Sequence, residues 1–199
     1  EVIPEYIMHN PLYMPEQSAY EAAKVVVEEA MQQGDSVGGV VECIVRGMPA
    51  GIGNPVFDKL DANLAKAMLS IGAAKGFEMG DGFEAAKLLG SQNNDAFCMQ
   101  DKSVMKRTNH SGGVLGGMSD GSDLIFRVAF KPTPSISKEQ QTITSYHEET
   151  TLVIKGRHDP IIVPRAVVVV ESMAAITILD LLLDNMGARI EDLENFYQK

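Results

Sequence analysis

Three stretches of the chain gather residue types that can do chemistry. Gly156-Arg157-His158-Asp159-Pro160 sets a guanidinium, an imidazole and a carboxylate side by side and halts them with a proline. An arginine beside a carboxylate keeps Asp159 ionised and able to accept a proton. The same tripeptide also reads as a surface ion pair in a turn. Lys131-Pro132-Thr133-Pro134-Ser135-Ile136 is stiffened by its prolines and offers donors from Lys131, Thr133 and Ser135. Such a segment suits a phosphate or a polarised heterocycle, and equally a rigid exit from an edge strand. In Asn109-His-Ser-Gly-Gly-Val-Leu-Gly-Gly117, four glycines fall within six positions. Glycines let backbone N–H groups come close to an anion; they also allow a tight turn or a close packing point. The spacing is not that of a dinucleotide fingerprint, and no alternating strand immediately precedes it, so a nucleotide-binding reading lacks its motif.

Regular elements must hold these stretches in place. Ser18-Ala-Tyr-Glu21 predicts a capping box opening a helix to about Gln33, with Gly34 placed to end it. Ser36 to Gly47 reads as a strand with Val41, Cys43 and Val45 on one face. Asn54 and Pro55 predict a helix start, and Phe57, Leu60, Leu64, Met68 and Ile71 then recur at helical spacing. Lys75 to Phe83 reads as a strand and turn, Glu84 to Leu89 as one or two helical turns, and Gly90 to Arg107 as a polar excursion. Asp123 to Phe130 alternates strictly, and Gln141 to Ile154 reads as a further extended segment. Pro164 opens the longest helix, apolar nearly all round to Leu183, which implies burial on more than one side; Gly187 ends it before a short polar tail. Residues 1–17 read as an entering loop. Helices alternating with strands, with a helix needing cover above and below, predict a layered α+β domain.

Bulk properties narrow the classes. The net charge of −10 argues against a general nucleic-acid binder. Between Lys102 and Arg165, however, nine basic residues face six acidic ones, against eight and twenty-one elsewhere, a clustering that suits an anion site and equally a solvated surface. The cysteines are only Cys43 and Cys98, which points to a reducing compartment and a cytoplasmic protein. The apolar run from Ala166 to Leu183 is interrupted by Glu171 and Asp180 and reads as a buried helix, with no membrane partner. The chain opens Glu1-Val2-Ile3 without an initiator Met, so it is expected to be a processed product or a portion of something longer.

Together with Gly72-Ala-Ala-Lys-Gly-Phe-Glu-Met-Gly-Asp-Gly-Phe83, the three stretches, in their order along the chain, resemble the C-terminal half of the chorismate synthases. Gly34-Asp-Ser-Val-Gly-Gly39, Gly47-Met-Pro-Ala-Gly-Ile-Gly-Asn-Pro-Val-Phe-Asp58 and Gly90-Ser-Gln-Asn93 match as well, so the resemblance covers nearly everything after Gly34. It implies a layered β-α-β sandwich of which this chain is part, residues 1–199 being the C-terminal portion of one domain. It implies a lyase of the shikimate pathway, in aromatic amino acid biosynthesis, that converts 5-enolpyruvylshikimate 3-phosphate to chorismate and phosphate by 1,4-anti elimination. Reduced FMN is the implied cofactor, with NADPH as one source of electrons, and the implied full-length assembly is a homotetramer. By motif matching, Asp159 becomes the catalytic carboxylate, and Arg157 a contact to FMN and to the substrate's anionic groups. Lys131, Pro132, Thr133, Pro134, Ser135 and Gly116 would line the flavin, as would Gly72 and Ala73, which stand where many members have Asn-Ala. His158 is expected to be a neighbour rather than a catalyst. The Gly-Glu-Ser-His-Gly-type and Gly-Arg-Ser-Ser-Ala-Arg-type motifs of the family's N-terminal half do not occur among the 199 residues. The chain alone is therefore expected not to turn over substrate. The alternative class is a non-catalytic assembly module that kept the fold, and against it stand Lys131, Arg157 and Asp159, all retained.

Overall fold

The computed structural model describes residues 4–100, 102–188 and 190–198. In chain order the elements are α1 (Pro4–His9), α2 (Gln17–Gln32), β1 (Gly39–Val45), α3 (Leu60–Leu69), β2 (Ala74–Met79), a 3-10 turn (Gly82–Lys87), α4 (Gly90–Asn93), β3 (Phe97–Gln100), β4 (Ser103–Lys106), β5 (Val114–Leu115), β6 (Met118–Ser119), β7 (Leu124–Phe130), β8 (Gln140–Ile143), β9 (Glu149–Leu152), α5 (Val163–Met186) and α6 (Ile190–Tyr197). Helices and antiparallel hairpins make this an α+β fold, as expected. Two compact units divide the chain: Glu1–Val41 with Ala129–Val168, and Glu42–Val128 with Val169–Lys199.

In the first unit, residues expected to form an entering loop instead contain α1, which Pro4 opens at a position where its missing N–H costs nothing. Residues 1–3 of that reading lie outside the described ones. Buried Asn10 then turns the chain: its amide donates to the carbonyls of Tyr6 and Met14, each at 3.0 Å, while its Oδ1 accepts from the Met14 N–H. Helix α2 starts at Gln17 with no side-chain cap, so the Ser18–Glu21 capping box does not form; the Ser18 hydroxyl donates to Glu16 instead. Its end is as read. Gly34 takes φ +65°, and the N–H groups of Gly34 and Asp35 return to the carbonyls of Met31 and Ala30, a Schellman closure. The extended stretch after Gln141 is a hairpin, β8 pairing β9 from Gln140↔Leu152 to Ile143↔Glu149, because the chain reverses where His147 takes φ +64°.

The second unit holds the core. Leu60, Leu64 and Met68 on α3, and Leu124, Phe126 and Val128 on β7, are fully buried, and Phe77 of β2 packs its ring 5.5 Å from that of Phe126. The alternation read in β7 is observed in full, and its sheet runs in the order β1-β7-β2. Helix α3 starts later than Asn54-Pro55 predicts. Val56 lies at φ +77°, which no helix tolerates, so Phe57 is left exposed and the Leu60 N–H bonds to the Gly117 carbonyl at 2.8 Å. The polar excursion hides the β3–β4 hairpin, in register from Phe97↔Lys106 to Gln100↔Ser103. The polar tail contains the helix α6.

Helix α5 contradicts one expectation. Its buried positions, Val163, Ala166, Val170, Ala174, Ile178 and Leu181, form a single stripe, while Ile176, Leu179 and Leu183 are exposed. Among the described residues the helix is covered on one side only. By length and composition alone it is also long and apolar enough to cross a membrane.

Candidate functional site

Two of the chemically loaded stretches meet in the first unit, and a third loop ties them. The Ser36 hydroxyl donates to the Thr133 carbonyl at 2.7 Å, and the Val37 N–H donates to the Pro160 carbonyl at 2.8 Å. Residues 34–39 therefore act as a spacer between Lys131–Ser135 and Arg157–Pro160. The spacer has to be glycine at position 38, where a Cβ would collide with the Phe130 carbonyl oxygen and press on Pro132 at 3.1 Å. Lys138 pairs with Asp35 at 2.7 Å, and that hydrogen bond, with one from the Ser36 N–H, holds the Asp35 carboxyl below the usual carboxylate range.

His158 joins the two stretches directly. Its Nε2 lies 3.0 Å from the Ile154 carbonyl oxygen and its Nδ1 2.8 Å from the Ser135 hydroxyl. Asp159 is held by Arg165, whose guanidinium donates to both carboxylate oxygens at 2.8 and 3.1 Å. The arginine that sequence adjacency proposed as Asp159's partner, Arg157, is not the one that holds it. A signal for Arg165 existed: a cation in the first turn of α5 opposes the helix dipole unless a carboxylate offsets it. Ser36 and His158 carried no such signal, since their partners are remote or depend on how the loop closes.

What these stretches leave unsatisfied marks where a ligand fits. The Thr133 hydroxyl oxygen is buried without a hydrogen-bond partner among the described residues. Lys131 and Arg157 are exposed, and among the described residues neither makes an ion pair. An orphaned hydroxyl and uncommitted cations carried on the same converging stretches suit a polar, anionic ligand.

The glycine turn belongs to the second unit. Strands β5 and β6 pair as a hairpin, and Gly116 and Gly117 take φ +60° and +90° at its tip, as a two-residue turn of this hand requires. Three of its four glycines are packing positions. A Cβ on Gly112 would collide with the Gly80 nitrogen, one on Gly113 would meet the Asp123 carbonyl at 2.5 Å, and one on Gly117 would run into the Lys59 side chain. Gly116 alone among them faces open space. Gly72 is also open, and Ala73 holds φ +69°, a conformation that favours glycine.

A buried charge cluster that sequence reading missed holds both ends of that hairpin. Lys106, with its side chain 4% exposed, pairs with Asp120 and, at 3.8 Å, with Asp95. Asp95 also accepts from the N–H groups of His110 and Ser111 and from the hydroxyls of Ser111 and Thr108. Burial alone would raise the Asp95 carboxyl, but these hydrogen bonds outweigh it and hold it far below the usual range; Asp120 is lowered in the same way by Lys106 and Ser122. Burial, with Glu171 nearby, pushes the Cys43 thiol up to about 11, so it is a packing residue rather than a nucleophile.

Comparison with known proteins decides the family. The Chorismate synthase family profile matches residues 2–183. The chain belongs to the chorismate synthase family. It is 61% identical over 193 residues to a chorismate synthase of Agathobacter rectalis, covering 97% of this chain and 53% of that protein. To one of Lachnospira eligens it is 60% identical over 191 residues, covering 96% and 52%. A crystal structure of chorismate synthase superposes with a TM-score of 0.76 at 31% identity, covering 98% of this chain and 52% of that one. The fold is thus α+β of the family's type, and the chain spans about half the length of the curated relatives it matches.

Proposed function

We propose that these 199 residues are the C-terminal portion of a cytoplasmic chorismate synthase domain, binding FMN and 5-enolpyruvylshikimate 3-phosphate and working as a homotetramer when full length. The observation that carries the ligand reading is the convergence of Lys131–Ser135 and Arg157–Pro160 through Ser36, Val37 and His158. Motif resemblance alone had grouped them. Lys131 and Arg157 stand ready for phosphate or carboxylate, with arginine suited to bidentate contacts. The buried Thr133 hydroxyl, without a partner among the described residues, is available to hydrogen-bond such a ligand. On resemblance we extend the flavin contacts to Pro132, Pro134, Gly72, Ala73 and Gly116.

Reduced FMN, when bound, would supply the electron density that assists departure of the allylic phosphate. The chain's own part is to bind the leaving phosphate's charge and to hold a carboxylate beside the group that takes up the ring proton. Asp159 is that carboxylate. Clamped by Arg165 on both oxygens, it keeps one orientation. Turnover on this reading needs residues outside these 199, because the family's N-terminal motifs are not among them.

Titrating FMN into the chain, alone and with a separately made N-terminal half of the Agathobacter rectalis relative, tests the proposal. Tight binding and turnover only with both parts is the expected result. Turnover by the 199-residue chain alone would refute the division of labour, and no FMN binding in either form would refute the cofactor reading.

A further inference from the structure

The two hydrogen bonds of His158 fix which way a proton points. Its Nε2 faces the Ile154 carbonyl oxygen at 3.0 Å, and a carbonyl can only accept, so Nε2 carries the ring proton. In the neutral imidazole Nδ1 is then bare. The Ser135 hydroxyl, 2.8 Å from Nδ1, must donate its one proton there. Its oxygen keeps lone pairs but has no proton left to offer. Thr133, on the same stretch, differs: its hydroxyl oxygen is buried and has no partner among the described residues.

We propose that His158 is a positioning residue that turns Ser135 into an acceptor, so that Ser135 Oγ receives a hydrogen bond from an N–H or O–H donor of bound FMN. The inference rests on the FMN reading above and adds to it a residue whose own side chain need not touch the ligand. Without His158 the Ser135 hydroxyl rotates freely and is as ready to donate as to accept, and the fixed acceptor is lost.

Side chains that replace one ring nitrogen at a time provide the test. His158→Asn places an amide where Nδ1 stands and can still accept from Ser135. His158→Gln reaches only the Nε2 position and keeps the Ile154 contact alone. FMN affinity is read from flavin fluorescence and visible absorption, using the chain paired with the relative's N-terminal half. His158→Asn is expected to bind within about twofold of the native protein, and His158→Gln about tenfold more weakly, the scale of one net hydrogen bond. Nitrogen-15 NMR of the His158 ring, expected to show the Nε2–H tautomer, gives a readout independent of the flavin. A flavin methylated at its ring imide separates the two donor sources. Weaker native binding of that analogue assigns the donor to the ring, and unchanged binding assigns it to the ribityl hydroxyls.

Equal affinity for both variants, a loss confined to His158→Asn, or an Nδ1–H tautomer would overturn the proposal. Native protein that bound no FMN while showing the Nε2–H tautomer would instead locate the failure in the flavin reading, and the acceptor role would fall with it.

Discussion

Asp159 owes its orientation to Arg165, and the pair is half exposed, the arginine more than the carboxylate. An ion pair of that exposure contributes about 0–1 kcal/mol to stability, so its worth lies in aiming the carboxylate. Asp159→Asn is therefore expected to leave the melting temperature nearly unchanged and to lower turnover of the completed enzyme by about 100-fold or more, the scale of a lost acid–base group. Steady-state kinetics beside thermal unfolding checks it, and a turnover unchanged by the amide would remove Asp159 from the chemistry. Lys106 shows the opposite balance. Its Asp95 and Asp120 partners are almost as buried as itself, and Lys106→Met would strand both carboxylates at a cost of about 3–5 kcal/mol. Denaturant unfolding would read that loss directly.

At the scale of elements, the β5–β6 hairpin separates packing from exposure within four residues. Gly113→Ala drives a Cβ into the Asp123 carbonyl and also strains a backbone at φ +84°, while Gly116→Ala meets only the strain of φ +60°. The expected costs are about 3 kcal/mol or more for the first and about 1 kcal/mol for the second. Gly116→Ala should nonetheless weaken FMN binding if the tip contacts the cofactor, and stability and affinity measured on both variants separate the two roles. The same region supplies a pH dependence. The Asp95 and Asp120 carboxyls are depressed in the fold, so their stabilisation is complete above the unfolded carboxylate pKa of about 3.9 and is lost as pH falls through their lower folded values. Acid titration followed by circular dichroism should show unfolding below about pH 4, and Asp95→Asn should flatten that acid limb.

Over the whole molecule the telling feature is apolar surface without cover. Ile176, Leu179 and Leu183 of α5 line, with Ala67 of α3 and Met173, an open groove of about 620 Å³ in the second unit. Patches of this kind mark contact surfaces in soluble proteins. The chain spans about half the length of the curated relatives it matches, and on the proposed reading an N-terminal half would cover this face. Ile176→Ser with Leu179→Ser is expected to shift the chain's own stability by less than about 1 kcal/mol, since neither side chain is buried. Association with the N-terminal half should weaken severalfold, measured by calorimetry, and unchanged association would place that half elsewhere.

Local patterns announced much of this. The strict alternation of Leu124 to Phe130, the Leu60-Leu64-Met68 stripe and the Gly34 stop each express a period or a backbone preference that acts between near neighbours, and each stands in the structure. The motifs likewise identified the family, because order and spacing of short stretches survive without knowledge of the fold. Other features were decided by residues far apart in the chain. Val56 delays α3 because the Leu60 N–H finds Gly117; Asp159 chooses Arg165 over its neighbour Arg157; Lys106 is buried because Asp95 and Asp120 close round it. Hydrogen bonds and ion pairs reward proximity in space, and only chain closure sets which groups become close.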